Sequence, residues 1–273
     1  RLEDGDKGSI ALWEKFKELS LHEFHRIYKI LEVNFDSFHG EGFYNNLLEP
    51  SIQELQQKVK TAISEGALIV DLEEYNMPPF MLRKSDGAST YHTRDLAAAL
   101  YRLKKYKPEK IVYVVGSEQK LHFQQLFKVL ELAGIDQEKL VHIDFGLFRF
   151  PEGKMSTRKG QVIFLEEVLN KAIDLAEKII EEKNPALQNK RDVAVMVGVG
   201  AIIFADLSND RIRDIDFDWN RMLSFEGETA PYLQYTHARA CSILRKAVKE
   251  HNQGVSPHVN FELFGQTEEI AVV

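Results

Sequence analysis

Between residues 90 and 150 the sequence alternates between amphipathic segments and continuous apolar runs. "STYHTRDLAAALYRLKKY" begins with Ser and Thr, which are preferred at helix N-caps, and has the Ala and Leu content of a helix. "KIVYVVGS" and "KLVHIDFGLFRF" have the apolar composition of buried parallel strands. "QKLHFQQLFKVLELAG" lies between them and predicts a helix that ends at Gly134. This order of helix, strand, helix, strand predicts half of a doubly wound α/β sheet.

Segments on both sides of this region are predicted to be mainly helical. Apolar residues at helical spacing predict one or two helices over 8–33, and "SIQELQQKVKTAISEG" predicts a helix that ends at Gly66. "NFDSFHGEGFYNN" predicts a loop or a short strand, whereas "ALIVDLEEY" and "PFMLRKSDG" predict a hairpin. From about residue 166 onward we expect mostly helix, with "DIDFDWNRML" as a short extended segment.

Composition narrows the class of protein. The 273 residues can bury a sizeable core, and the formal net charge of −7 argues against a general binder of polyanions. Cys241 is the single cysteine, so an internal disulfide is impossible and a reducing, cytoplasmic setting is expected. The apolar runs are far shorter than a membrane span, and "RLEDGDKGS" lacks the apolar region of a signal peptide. No membrane association is therefore expected.

Two segments follow the predicted strands at their carboxyl ends, where open α/β sheets bind ligands. One is "VVGSEQKLH" and the other is "GKMSTRKG", residues 153–160. Ammonium groups and a hydroxyl in the second segment suit polyphosphate oxygens. Three cations in six residues are also common in solvated surface loops, and composition alone favours that alternative.

The segment "YHTRD" places Tyr91 and Asp95 four residues apart, so both lie on one face of the predicted helix. A carboxylate beside a phenol suits a guanidinium or an ammonium ligand. The alternative is an acid near a helix N-terminus, favoured there by the helix dipole. "LHEFHR" does not have the HExxH spacing of zinc enzymes, and no zinc-spaced cluster occurs elsewhere, so no metal site is predicted.

A third candidate segment, "GETAPYLQYTHARACSILRK", mixes aromatic and basic residues. Aromatic rings interleaved with cations can stack on RNA and clamp it. An amphipathic helix whose aromatic residues pack inward explains the pattern equally well. The candidate RNA-binding residues are Tyr232, Tyr235, His237 and Arg239.

Six segments, in order, resemble the arginyl-tRNA synthetases, a family of class I aminoacyl-tRNA synthetases. They are "RLEDGD", "FDSFHGE", "MLRKSDGASTYHTRDLAAALYR", "VVGSEQKLHFQQLFKVLELAG", the KMSKS-like "GKMSTRKG" and "TAPYLQYTHARACSILRK". The resemblance implies the C-terminal half of a Rossmann-type catalytic domain over 1–165. A helical connecting region over 166–226 and the start of an anticodon-binding helical bundle over 227–273 are expected to follow.

The resemblance implies ATP-dependent activation of L-arginine and its transfer to tRNA(Arg), with Mg²⁺ accompanying ATP. Members of this family characteristically need tRNA for the activation step, and a monomer is favoured. The residues implied for catalysis are Lys154, Ser156, Arg158 and Lys159. Those implied for arginine are Glu41, Tyr91, Asp95 and Gln119. Those implied for ATP are Gly116, His122, Lys154, Met155 and Ser156.

The sequence departs from the family pattern at two points. Thr157 stands where the generic KMSKS signature has its second lysine, so Arg158 and Lys159 are both candidates for the leaving phosphates. The His-x-Gly-His signature is absent, which leads us to expect a fragment that lacks the N-terminal part and the end of the anticodon-binding domain, and that is inactive alone. The alternatives are a catalytically dead RNA-binding paralogue and a class I synthetase for another amino acid.

We predict that Asp95→Ala abolishes arginine binding and leaves ATP binding largely intact. A guanidinium keeps its proton, so its pocket needs fixed carboxylates, whereas Asp95 has no expected role toward the phosphates. Isothermal calorimetry with each ligand measures the two affinities. Equal loss of both would refute the assignment of Asp95 to arginine.

Overall fold

The computed structural model describes residues 6–149 and 164–251, and the side chains of the last two residues are left aside. The described residues form two compact units. The first contains the residues up to 149 together with 206–217, and the second contains 164–205 and the residues from Asp218 onward. None of the helices in these ranges is both long and apolar enough to cross a bilayer.

The described residues are rich in helix and contain three small sheets. The α-helices are α1 (Lys7–Ile30), α2 (Leu48–Gln56), α3 (Tyr91–Tyr106), α4 (Lys120–Leu132), α5 (Leu165–Lys183), α6 (Lys190–Leu207), α7 (Trp219–Met222) and α8 (Ala230–His251). The strands are β1 (Ala62–Ser64), β2 (Ala67–Val70), β3 (Phe80–Arg83), β4 (Ile111–Gly116), β5 (Leu140–Phe145), β6 (Phe148–Arg149) and β7 (Ile215–Asp216).

The predicted order of α3, β4, α4 and β5 is confirmed, and β4 pairs with β5 in parallel. The two faces of β4 differ, however. Ile111 and Tyr113 are buried, whereas Val112 and Val114 on the opposite face are 53% and 65% exposed. The expectation of a strand buried on both sides is therefore wrong for β4, because helices cover one of its faces within the described residues.

The predicted hairpin is confirmed as the antiparallel pair β2 and β3. The predicted helix up to Gly66 is wrong beyond α2, because the chain from Ala62 to Ser64 forms β1 and pairs with β2. The sheet of β1, β2 and β3 and the parallel pair of β4 and β5 share one hydrophobic core. Helices α2, α3 and α4 pack against the same core. The fully buried residues of this core include Phe80, Leu82, Leu96, Leu126, Val129 and Leu130.

The predicted strand over 139–150 is interrupted at Gly146. The amide of Gly146 donates to the carbonyl of Arg211 at 2.7 Å, and a Cβ there would lie 2.4 Å from the oxygen of Arg213. This close backbone approach requires glycine and turns the chain from β5 into β6. β6 then pairs in parallel with β7, so the extended segment predicted over 214–223 is confirmed for Ile215–Asp216 and wrong for Trp219–Met222, which form α7.

The strand interpretation of "NFDSFHGEGFYNN" is wrong. The loop interpretation holds up to Gly40, and Glu41–Leu47 form a 3-10 helix that was not predicted. Helix α1 forms a single helix with no buried residue. Its Tyr28 packs against Phe35 at a ring-centroid distance of 4.7 Å, and His25 packs against Phe38 at 4.6 Å.

In the second unit α5, α6 and α8 form the expected helices. α5 and α6 cross closely at Gly198, where a Cβ would lie 2.7 Å from the backbone nitrogen of Ile173. A Cβ at Gly200 would instead meet the Nε2 atom of Gln234, the end of a flexible side chain. The absent side chain at Gly198 thus sets how closely these helices pack. The boundaries predicted near 165 and 226 stay predictions.

We predict that Gly198→Ala lowers the free energy of unfolding of the second unit by about 1–3 kcal/mol, because its methyl group meets backbone that cannot move aside. Gly200→Ala is the matched control on the same helix. The change from Gly to Ala raises helix propensity by about 1 kcal/mol at either position. At Gly200 the added methyl group displaces only the side chain of Gln234. Urea denaturation followed by far-UV circular dichroism measures both. Equal stability of the two variants would contradict the close crossing.

Candidate functional site

The N-terminus of α3 is tied to strand β3 by two buried hydroxyl groups. Thr90 caps the helix, since its Oγ1 accepts from the amide of Thr93 at 3.3 Å, and it donates to the carbonyl of Met81 at 2.7 Å. Thr93 donates to the carbonyl of Leu82. The predicted N-cap is thereby confirmed. These bonds hold Tyr91 and Asp95, the two candidates on this helix, at a fixed position relative to the core.

Asp95 meets His122 from the first turn of α4. The Nε2 atom of His122 lies 2.7 Å from Oδ2 of Asp95. The imidazole is 6% exposed, whereas the carboxylate side chain is 37% exposed. One end of the pair is therefore embedded in the core and the other is open to a ligand.

Aromatic rings surround His122. Tyr91 and His92 each lie 4.9 Å from it between ring centroids, both in edge-on geometry, and Tyr91 also stacks on His92 at 4.0 Å. Tyr91 is exposed and His92 is buried. The cluster formed by Tyr91, His92, Asp95 and His122 is called the α3–α4 cluster below.

The buried His92 is neutral over a wide pH range. Burial lowers its pKa to about 4, and the neighbouring His122 acts in the same direction, while Asp95 acts against it. His92 packs edge-on against Phe80 at 4.9 Å. An uncharged ring at this position adds no positive charge beside Asp95.

Glu41 contacts α3 through Arg94. Its carboxylate lies 3.7 Å from Nε of Arg94, and the Glu41 side chain is 78% exposed. Arg94 also donates to Oδ1 of Asn45 and, at 3.1 Å, to Oγ of Ser89. The structure thus brings Glu41 to the residue next to Asp95, with a guanidinium already beside its carboxylate.

Gly116 and Gln119 lie at the carboxyl end of β4. Gly116 is the last residue of the strand, and Gln119 ends a one-turn 3-10 helix and caps α4. Gln119 is exposed and precedes His122 by one helical turn. Beside them Lys120 lies 3.8 Å from Asp144 of β5. The α3–α4 cluster and this strand end therefore lie on the same edge of the parallel pair.

The candidate RNA-binding residues all lie on α8. Tyr232 and Tyr235 are exposed, which argues against rings packed inward. Arg239 donates to the hydroxyl of Tyr235 at 3.3 Å, and His237 lies 3.5 Å from the sulfur of Cys241. The helix presents these side chains to solvent.

The candidate phosphate-binding residues Lys154, Met155, Ser156, Arg158 and Lys159 lie outside the described residues. Within 6–149 and 164–251 no group of three or more His, Cys, Asp or Glu side chains is placed to hold a metal ion. The described part of the site is therefore a carboxylate with aromatic and imidazole neighbours.

Sequence reasoning assigned no role to Arg94, His92 or Thr93. Arg94 lies inside "YHTRD", directly before the candidate acid Asp95, and this adjacency was the sequence feature that could have indicated a role for it. The contact between Asp95 and His122 joins residues 27 positions apart and depends on how α3 and α4 pack, which spacing does not reveal.

The chain is similar to known proteins in both sequence and structure. The family described as "tRNA synthetases class I (R), catalytic domain" matches residues 1–219. The arginine–tRNA ligase of Clostridium perfringens is 57% identical over 92% of this chain and 44% of its own length. That of Clostridioides difficile is 50% identical over 100% of this chain and 48% of its own length. The chain thus spans about half the length of these curated relatives.

Solved structures agree with these matches. The arginyl-tRNA synthetase of Thermus thermophilus has a TM-score of 0.81 at 27% identity, covering 98% of this chain and 50% of that chain. The arginyl-tRNA synthetase of Plasmodium falciparum has a TM-score of 0.79 at 26% identity, covering 90% of this chain and 42% of that chain.

We predict that His92 makes stability depend on pH between about 4 and 6.5. Its folded pKa is about 4 against an ordinary value of 6.5, so the unfolded chain binds more protons in this window and stability rises with pH. The contribution is complete above about pH 6.5 and is lost as the pH falls toward 4, by roughly 3 kcal/mol.

Urea denaturation across this pH range tests the prediction with two variants, His92→Gln and His92→Phe. They differ in polarity and share the loss of the titrating group, so both should flatten the pH dependence relative to the unmodified protein. A slope unchanged in both variants would show that His92 does not take up a proton on unfolding.

Proposed function

The chain belongs to the catalytic-domain family of the arginine-specific class I tRNA synthetases, and we propose that the whole protein attaches L-arginine to tRNA(Arg) with ATP. In the first step an oxygen of the arginine carboxylate attacks the α-phosphorus of ATP, which gives arginyl-adenylate and releases pyrophosphate. In the second step a hydroxyl of the terminal tRNA ribose attacks the arginyl carbonyl and AMP leaves. Both steps depend mainly on positioning and on stabilising charge.

The observation that carries this proposal is the half-exposed carboxylate of Asp95 held against the buried His122. The substrate guanidinium is always charged and needs a fixed anion with open access. Asp95 has both properties, and the exposed Tyr91 on the same face of α3 offers a ring for a flat cation to pack against. Gln119 at the adjacent strand end is the proposed polar contact.

Glu41 is the second proposed carboxylate for arginine. Its neighbour Arg94 also donates hydrogen bonds to Asn45 and Ser89, so the position of the guanidinium does not depend on Glu41 alone. The distance of 3.7 Å between Glu41 and Arg94, at an exposed side chain, is that of a weak ion pair. An incoming guanidinium can therefore share Glu41 without displacing a strong contact.

ATP is proposed to bind at the carboxyl end of β4 and to contact residues of the segment 153–160. Gly116 is the proposed contact at the strand end and Met155 is proposed beside the nucleotide, whereas His122, which the resemblance implies for ATP, lies buried against Asp95. Lys154, Ser156, Arg158 and Lys159 would stabilise the charge that moves to the leaving pyrophosphate. Magnesium, when bound, neutralises phosphate charge and is held mostly by phosphate oxygens and water.

The remaining assignments follow from family membership. We propose that 1–165 is the C-terminal half of a Rossmann-type catalytic domain, 166–226 a connecting region and 227–273 the start of an anticodon-binding bundle. The exposed Tyr232 and Tyr235 on α8, with His237 and Arg239, are proposed to contact tRNA. A monomeric cytoplasmic protein is proposed, in keeping with the single cysteine. Inactivity of these 273 residues alone stays a prediction.

We expect the full-length polypeptide that contains this sequence to catalyse ATP–pyrophosphate exchange that depends on arginine and requires tRNA. Lysine, with one ammonium on a flexible stem, should not replace arginine, because it cannot satisfy two carboxylates with the same geometry. Exchange with each amino acid, with and without tRNA, measures this. Exchange with a different amino acid would contradict the specificity, and RNA binding without any exchange would favour the inactive paralogue.

A further inference from the structure

His122 occupies an unusual position for a residue of a nucleotide pocket. It is buried, its Nε2 contacts Oδ2 of Asp95, and its Nδ1 is buried with no hydrogen-bond partner among the described atoms. We infer that His122 is a positioning residue for arginine recognition: it holds Asp95 in one orientation through Oδ2 and leaves Oδ1 to the substrate guanidinium. This inference rests on the proposed function, because it requires that the ligand of Asp95 is arginine.

The tautomer of His122 follows from its neighbours. In a neutral imidazole one nitrogen donates and the other accepts. A carboxylate oxygen accepts hydrogen bonds, so the hydrogen of the contact is assigned to Nε2 of His122, which lies 2.7 Å from Oδ2 of Asp95. Nδ1 then keeps its lone pair in a place where the described residues offer neither donor nor acceptor.

The residue type at this position bears on the charge that the ligand meets. Lys or Arg would place a permanent positive charge beside Asp95, whereas an imidazole can orient the carboxylate through an N–H without a permanent charge. The adjacent His92 adds no charge, since its pKa is lowered by burial to about 4. Asp95 is the single acidic residue of the α3–α4 cluster, and a carboxylate is the group that a guanidinium needs as its partner.

The orientation of Asp95 is fixed because its partner cannot move. The His122 ring contacts Tyr91 and His92 at 4.9 Å and Phe123 at 5.2 Å between centroids, and it belongs to the first turn of α4. A half-exposed aspartate without such a partner samples several rotamers and loses that freedom on binding. With Oδ2 engaged by His122, Oδ1 has no hydrogen-bond donor within the described chain and stays available.

The experiment measures KM for arginine and KM for ATP in tRNA-dependent ATP–pyrophosphate exchange with the full-length protein. His122→Phe keeps a ring and removes the donor. His122→Gln places an amide N–H at about the reach of Nε2 and should restore function. His142→Gln is the matched control, because His142 also packs on Phe123 at 4.4 Å but bonds the carbonyl of Val115 and does not contact Asp95.

We expect His122→Phe to raise KM for arginine roughly 10- to 100-fold, the value of a hydrogen bond to a charged group, with KM for ATP unchanged. His122→Gln and His142→Gln should stay within about threefold of the unmodified protein, well inside the loss expected for the missing bond. If His122→Phe does not fold, His122→Asn replaces it, since its shorter amide cannot reach Asp95.

Three results would overturn the inference while leaving the proposed function intact. KM for arginine could be unchanged without the donor, KM for ATP could rise in its place, or His122→Gln could be as impaired as His122→Phe. If the unmodified protein shows no exchange with arginine and tRNA, the proposed function itself fails and the inference falls with it.

Discussion

The hydroxyl groups of Thr90 and Thr93 connect α3 to β3, and the geometry of the site depends on them. Both are buried, and they bond two successive strand carbonyls, those of Met81 and Leu82. A shift of the helix by one residue would leave buried hydroxyls and carbonyls without partners, at a cost of about 1–3 kcal/mol for each group. The axial position of α3 is thus determined, and with it the point at which Asp95 meets α4.

The shared core gives this connection a rigid base. Phe80 of β3, Leu96 of α3 and Leu126 of α4 are fully buried in one cluster, so the three elements that form the site pack on the same side chains. Helix α1, by contrast, buries no residue. The candidate site therefore lies on the part of the first unit whose elements constrain one another most strongly, as a pocket that must hold side chains in fixed positions requires.

Cationic side chains close to Asp95 in the sequence and at the adjacent strand end form ion pairs with other acidic residues. Arg94, the residue before Asp95, is bound by Glu41, Asn45 and Ser89, and Lys120 of α4 lies 3.8 Å from Asp144. The other members of the α3–α4 cluster, Tyr91, His92 and His122, contribute a phenol ring and two imidazole rings. For a chain with a net charge of −7, the proposed recognition of a cationic substrate depends on carboxylates held in fixed positions more than on the general field of the protein.

The sequence by itself determined the order of helices and parallel strands from α3 to β5, because apolar periodicity there agrees with local propensity, and it determined that Tyr91 and Asp95 share a face. Prediction failed at β1, where pairing with the neighbouring strand β2 overrides the helical pattern, and at Gly146, where a bond to the distant backbone of Arg211 interrupts the predicted strand. Only the tertiary structure decided that His122 holds Asp95. The two residues are far apart in the chain, and they meet because buried side chains and satisfied hydroxyls leave α3 and α4 one way to pack.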